Sequence, residues 1–255
     1  MIVDVYQQWI NLVKTYSKCS LFCPDDRLMA MAGIAEMFKK NTGDEYLAGL
    51  WRSRIVEGLN WVVLDPTSRP QNSCRVPPWS WAAVDSSVLP QRTNLPRDED
   101  LVDIIDAKSH PGQTSSRSQL VKGSIQLRGL QLLEMPSTIY ACPDTFETTF
   151  KGGESFSSLP LSPTLRRQVN NEDENPVGEL FVITEGLVLQ AVSGAGSTYK
   201  RVGQFVVTSL DNASFFGLIT TAPKSRGGVA LISADESRKS QEGPMIVLIT
   251  YGAHH

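Results

Sequence analysis

Apolar residues recur every three or four positions at the start of the chain. In "VDVYQQWINLVKTYS", Val5, Trp9, Leu12, Val13 and Tyr16 form one stripe, which predicts an amphipathic helix. "CPDDRLMAMAGIAEMFKKNTG" predicts a second. Pro24 stands where a first turn tolerates proline, and Asp25 and Asp26 follow where the helix dipole favours acids. Leu28, Met31, Ala32, Ala35 and Phe38 form its buried stripe, and Lys39 and Lys40 precede an Asn41-Thr42-Gly43 stop. A third helix is predicted from an Asp44 cap through "EYLAGLWRSRIVEGLNWVVL", with Leu47, Leu50, Trp51, Ile55 and Leu59 inward and Pro66 ending it.

The pattern then breaks. Residues 65–119 are rich in Pro, Ser, Arg and Asn, with extended pieces predicted at 79–88 and 101–107. From Leu120 the period becomes two. "VKGSIQLRGLQLLEM", "TFETTF", "ELFVITEGLVLQAV", "YKRVGQFVVTSL", "SFFGLIT", "GVALIS" and "PMIVLITYG" read as strands. The runs at 180–192 and 199–210 bracket "SGAGS", a hairpin loop, and residues 160–178 form a polar insertion. Helices segregated from strands predict an α+β fold, with a small N-terminal helical unit packed on an antiparallel β-rich domain. The predicted units are a three-helix unit at 1–65, a connection at 66–119 and a β domain at 120–255.

Composition narrows the classes of function. With 41% apolar and 20% charged residues in 255, the chain is long enough to bury a core and too apolar to be disordered throughout. A net charge of −3 with scattered basic residues offers no footprint for nucleic acid or anionic lipid, and Arg166-Arg167 and Lys200-Arg201 are too short to make one. No apolar run reaches membrane-span length, and the start lacks a basic leader, so a cytoplasmic protein is expected. Four cysteines make no disulfide scaffold, and reduced thiols are expected.

Reactive constellations are scarce. Of three histidines, His254 and His255 are terminal, and Cys19-x3-Cys23 has no second ligand pair, so no metal or cofactor is expected. There is no G-x-S-x-G elbow, and "GAGS" lacks the third glycine and the helix start of a dinucleotide loop. A Cys142–His110 dyad would need two residues from separate predicted loops to meet. Acidic pairs at Asp25-Asp26 and Asp98-Glu99-Asp100 are accounted for by a helix start and a solvated turn, although a β domain can bring distant carboxylates together.

The tryptophans draw more attention. Trp9 and Trp51 lie on helical stripes and Trp61 just beyond, as core residues would. In "RVPPWSWAAVD", Trp79 and Trp81 are two apart in a predicted extended segment and share one face. Such a pair suits a sugar-stacking platform. It equally suits a strand laid over the helical unit, which would cover the open side of the stripes.

These segments together resemble the region downstream of the HET domain in fungal heterokaryon incompatibility proteins. The matching residues are Trp9, Tyr16, Ser17, Asp26, Arg27, Leu28, Ala30, Gly33, Ile34, Ala35, then Tyr46, Ala48, Gly49, Leu50, Trp51 and Trp61, then Pro78, Trp79, Ser80, Trp81 and Ala82. Pro78 stands where that pattern usually has serine. The likeness covers about residues 9–88, with a looser match at "GSIQLRG", "EGLVLQ" and "YKRVGQF". The "SYVWG"-like and "WIDALCINQ"-like motifs of the HET domain do not occur, so the chain is expected to correspond to the downstream half of such a protein. The resemblance implies a non-catalytic regulatory or partner-recognition role in nonself recognition and programmed cell death, with a HET-domain-containing protein as the possible partner. It implies structural roles for Trp9, Tyr16, Asp26, Arg27, Gly33, Trp51, Trp61, Trp79, Ser80 and Trp81, and it transfers no catalytic residue. The rival expectation is a carbohydrate-binding, small-molecule-binding or hydrolytic β domain. Two further expectations are that Arg27 clamps the 75–85 segment, stacking on an indole and donating to loop carbonyls, and that the strands at 180–192 and 199–210 offer long free edges to a partner.

Overall fold

The computed structural model describes residues 5–19, 26–64, 76–90, 102–111, 121–132, 140–144, 182–192, 198–208, 224–233 and 242–252. Over these residues the chain is α+β, as the change of period predicts. Helix α1 spans Val5–Tyr16 and buries Trp9 and Val13. Helix α2 spans Arg27–Thr42 and ends on Gly43 at φ 69°, whose N–H bonds back to the Lys39 carbonyl. It buries Leu28, Met31 and Ala35. Ala32, expected inside, is exposed, and so are Met29, Ile34 and Met37.

The expected third helix is not one helix. Strands β1 (Tyr46–Leu47) and β2 (Leu50–Trp51) form a tight hairpin, a 3-10 turn covers Arg52–Arg54, helix α3 spans only Ile55–Leu59, and β3 (Trp61–Val63) pairs with β4 (Val88–Pro90). The cause is local. Ala48 and Gly49, the hairpin's two loop residues, have φ of 45° and 103°, and positive φ at both positions reverses the chain. The helical stripe was nevertheless right about burial, since Leu47, Leu50, Trp51, Ile55 and Leu59 are all inside. The 79–88 segment is not extended either. After two prolines it makes a turn, and a 3-10 helix covers Trp81–Ala83.

Seven described strands build one sheet: β5 (Val102–Pro111), β6 (Val121–Leu132), β7 (Tyr140–Pro143), β8 (Val182–Val192), β9 (Thr198–Thr208), β10 (Lys224–Ser233) and β11 (Glu242–Gly252). β5 joins this sheet through β6, so the sheet begins inside the segment expected to be a connection. The expected β8–β9 hairpin is present and antiparallel. Pairing runs β6–β10, β10–β9, β9–β8, β8–β11 and β11–β6, which closes a ring; only the short β9–β10 contact is parallel. β8 is therefore bonded along both sides, and β9 meets β8 on one side and β7 and β10 on the other. The long free edges expected there do not exist, because closure consumes them. The expected strands at 145–150 and 214–220, the insertion at 160–178, and Pro24 and Asp25 lie outside the described residues.

The N-terminal unit sits on this sheet through β1 against β5 and through β3 against β7 and β9. One apolar cluster runs from Trp9 and Trp51 through Trp79 to Ile125, Leu127, Leu187 and Ile232, so the two parts share a core.

A tryptophan-lined pocket as the candidate functional site

The site is built around one carbonyl. In the β1–β2 hairpin, the oxygen of Gly49 accepts the indole N–H of Trp81 at 3.0 Å and that of Trp9 at 3.3 Å. A Cβ on residue 49 would lie 2.6 Å from Trp81 Nε1, so glycine is required by both its positive φ and this contact. Trp9 stands edge-on to Phe38, Tyr46 and Trp51, at centroid distances of 5.4, 5.6 and 5.2 Å. Such contacts are worth about 0.5–1.5 kcal/mol each beyond the burial itself. Trp61 donates to the Trp79 carbonyl at 3.0 Å, which ties β3 to the Trp-Ser-Trp turn.

Ser80 sets that turn. Its hydroxyl accepts the Ala82 N–H at 3.2 Å and caps the 3-10 helix that buries Trp81. Trp79 and Trp81 are 0% and 2% exposed. A sugar platform needs an open aromatic face, and neither indole offers one. Trp79 packs instead on β6, where a Cβ at Gly123 would fall 2.8 Å from Trp79 Cζ2 and 2.8 Å from the Lys108 carbonyl. A glycine within a strand marks such an approach.

Arg27, 4% exposed, donates to the Val84 carbonyl at 2.9 Å, the Ser86 carbonyl at 3.3 Å and the Asp85 carboxylate at 3.1 Å. The loop-carbonyl half of the expected clamp is therefore present, one turn later than the Trp pair. Ser17 adds a second staple, with its hydroxyl bonded to both the N–H and the carbonyl of Val88. Tyr16 lies edge-on to Trp81 at 6.3 Å, and burial pushes its phenol above the ordinary range, opposed in part by the Arg27 charge.

The indole-stacking half of the expectation belongs to another residue. The Arg201 guanidinium lies 3.3 Å above the Trp61 ring, donates to the Leu59 and Trp61 carbonyls at 3.0 and 2.6 Å, and meets Asp144 at 3.1 Å. Both members of this ion pair are buried, at 0% and 1%. Sequence reasoning missed both. A signal existed, because period two puts Arg201 on the face of Tyr199, which packs against the shared core, although a register shift between Arg201 and Gly203 interrupts the alternation before Phe205.

Two matched residues have smaller roles. Asp26 occupies the N-cap position of α2 and makes no side-chain cap bond. Gly33 is exposed, with nothing within 4 Å of where a Cβ would stand. His110 and Cys142, read as loop residues, fall on β5 and β7, which pair with different strands. Among the described residues no group of three or more His, Cys, Asp and Glu side chains stands close enough to hold a metal ion, and no helix is long and apolar enough to cross a membrane.

The indoles do not fill all the space between them. Trp9, Trp51, Trp61 and Trp81 line a pocket of about 50 Å³, open on one side, with Val13 and Ile10 of α1 along one wall. Arg54 and Glu57, an ion pair at 2.8 Å, also line it, and the Arg54 guanidinium lies 5.0 Å from the Tyr6 ring. In comparison with known proteins, no family profile, no curated protein and no solved structure matches this chain.

Proposed function

We propose that the chain is a non-catalytic partner-recognition module of the kind found downstream of the HET domain in fungal heterokaryon incompatibility proteins. In this reading it acts in the cytoplasm, in nonself recognition and programmed cell death, and its partner is a HET-domain-containing protein. The observation that supports this reading best is the convergence of the matched residues. Trp9, Gly49 and Trp81 meet at one carbonyl, Trp61 and Trp79 share a bond, and Arg27 holds the turn that follows. The pattern behaves as a folding signature for a packed unit, with the indole N–H groups of Trp9, Trp61 and Trp81 and the guanidinium of Arg27 spent on backbone carbonyls of the chain itself. The buried indoles also weigh against the sugar-binding alternative, whose ligand needed their faces.

The test is calorimetric titration of the purified chain with a purified HET domain. Saturable binding is the expected result. A screen against NAD, nucleotides and ester substrates provides the opposite outcome: turnover abolished by one cleft substitution would replace this reading with an enzymatic one.

A further inference from the structure

We propose that the tryptophan-lined pocket binds a single branched aliphatic group of about leucine size, presented beside a hydrogen-bond acceptor. The proposal rests on the recognition-module reading and gives that recognition a place on the molecule.

Size selects the group. A cavity of about 150 Å³ takes a benzene ring. This pocket offers about 50 Å³ and opens on one side, which suits the tip of an aliphatic chain whose stem points outward. The walls favour an apolar group, since four indoles, Ile10, Val13 and Leu50 make up most of them, and the charged side chains among the lining residues, Arg54 and Glu57, are paired with each other. Two glycines keep the room open. A Cβ at Gly58 would press on the Leu50 side chain at 3.1 Å, and one at Gly49 would displace the Trp81 indole.

The acceptor follows from the donors. Trp51 Nε1 and Arg54 Nε are both buried and have no acceptor among the described residues, and both residues line the pocket. Trp51 is 3% exposed, so bulk water does not serve its N–H. A buried donor without a partner is destabilising and calls for one. The Arg54 guanidinium is already fixed between Glu57 and the Tyr6 ring, so its Nε is held in place. A peptide carbonyl beside a leucine side chain supplies both features, and so does the carboxylate of a short branched acid.

The experiment follows the indole N–H resonances of the 15N-labelled full chain. The probes are N-acetyl-leucine N-methylamide for a peptide source, 4-methylpentanoate for a free acid, and N-acetyl-glycine N-methylamide as the control. A leucine-sized probe is expected to shift the Trp51 resonance saturably, with a dissociation constant on the order of 10–100 mM, the range one buried side chain supplies. The tighter of the two leucine-sized probes identifies the source. Ile10→Phe, at a half-exposed wall position, is expected to weaken the probe at least about tenfold while the indole resonances stay dispersed. Absence of a saturable shift with either leucine-sized probe, or an equal shift with the glycine control, overturns the proposal without any variant. The underlying reading fails separately. If the HET domain binds Ile10→Phe as well as the natural chain, the pocket is not the anchor and the module reading stands. If the leucine probes bind and the HET domain does not, the pocket stands and that partner falls.

Discussion

Up to Pro90 the backbone bends around side chains, whereas from Val102 onward the described side chains ride on paired backbone. In the first region the strands are two or three residues long, and their positions are fixed by indole N–H groups, a serine cap and a guanidinium reaching for carbonyls. In the second, most strands run ten residues or more and close into a ring through their own ladders. The difference teaches where each region is vulnerable. A ladder distributes its stability over many similar bonds, each worth about 1 kcal/mol net. The aromatic unit concentrates it in a few acceptors, so one substitution can remove several contacts together.

The sharpest way to break this arrangement is at the joint. Arg201 belongs to the ring but spends its donors on Leu59, Trp61 and Asp144. Arg201→Met leaves the Asp144 carboxylate buried opposite a thioether, and truncating one partner of a buried pair costs about 3–5 kcal/mol. Chemical denaturation is expected to show that loss together with a split transition, the aromatic unit melting before the ring. A single transition at the natural midpoint would mean that the shared apolar core alone couples the two regions.

Gly49→Ala attacks the aromatic unit from inside. The new methyl meets Trp81 Nε1 and the residue must hold φ near 103°, so overpacking and backbone strain combine to about 2–4 kcal/mol. Near-ultraviolet circular dichroism is expected to lose its indole signal ahead of the far-ultraviolet β signal. Simultaneous loss of both would show that the ring depends on the hairpin more than its own pairing suggests.

These two positions also show what was legible in the sequence. The long strands of the ring were, because alternation over ten residues admits few other readings, and β8 and β9 pair antiparallel as the expected hairpin requires. The ring's closure was not, since pairing between β6, β10 and β11 joins residues far apart in sequence. The segment from Asp44 to Leu64 was half legible. Its spacing named the buried residues correctly and the conformation wrongly, because Ala48-Gly49 reverses the chain while keeping Leu47, Leu50 and Trp51 on the inner side. Of the candidate site, the tryptophans and Arg27 could be named in advance. Arg201 and Asp144 could not be paired, since nothing local connects β9 to the end of β7.

Arg27→Lys sharpens the comparison more gently. A lysine keeps the charge and loses the fork that reaches the Val84 and Ser86 carbonyls and Asp85 together, leaving at least one buried carbonyl unserved at a cost of about 1–3 kcal/mol. Thermal melting is the readout, and an unchanged midpoint would remove the clamp.

Asp44 provides a pH handle on the same unit. Burial pushes its carboxyl up, but hydrogen bonds from Ser53, Tyr6 and the Glu45 and Ser53 backbone outweigh that and hold it below its ordinary value of 3.8. A depressed carboxyl contributes stability that is present above 3.8 and lost as pH falls through its lower folded value. Asp44→Asn is therefore expected to cost about 1 kcal/mol at neutral pH, discounted for its partial exposure, and almost nothing in strong acid. Melting curves run from neutral to acid pH should converge for the two proteins. A constant gap would assign the loss to packing.

The smallest effect has the opposite sign. Gly33 sits inside α2, exposed, with open space where its Cβ would be, and no turn or positive φ asks for glycine there. In a helix interior glycine costs about 0.5–1 kcal/mol relative to alanine through the extra freedom it loses on folding. Gly33→Ala is accordingly expected to raise stability by that amount, read as a higher denaturation midpoint with an unchanged slope. It is the one matched residue whose substitution should help the isolated chain, which separates it from Gly49, where the same change collides with an indole. A destabilised Gly33→Ala would mean that α2 needs the glycine for a bend or contact absent from this arrangement of the chain, and the distinction between the two glycines would not hold.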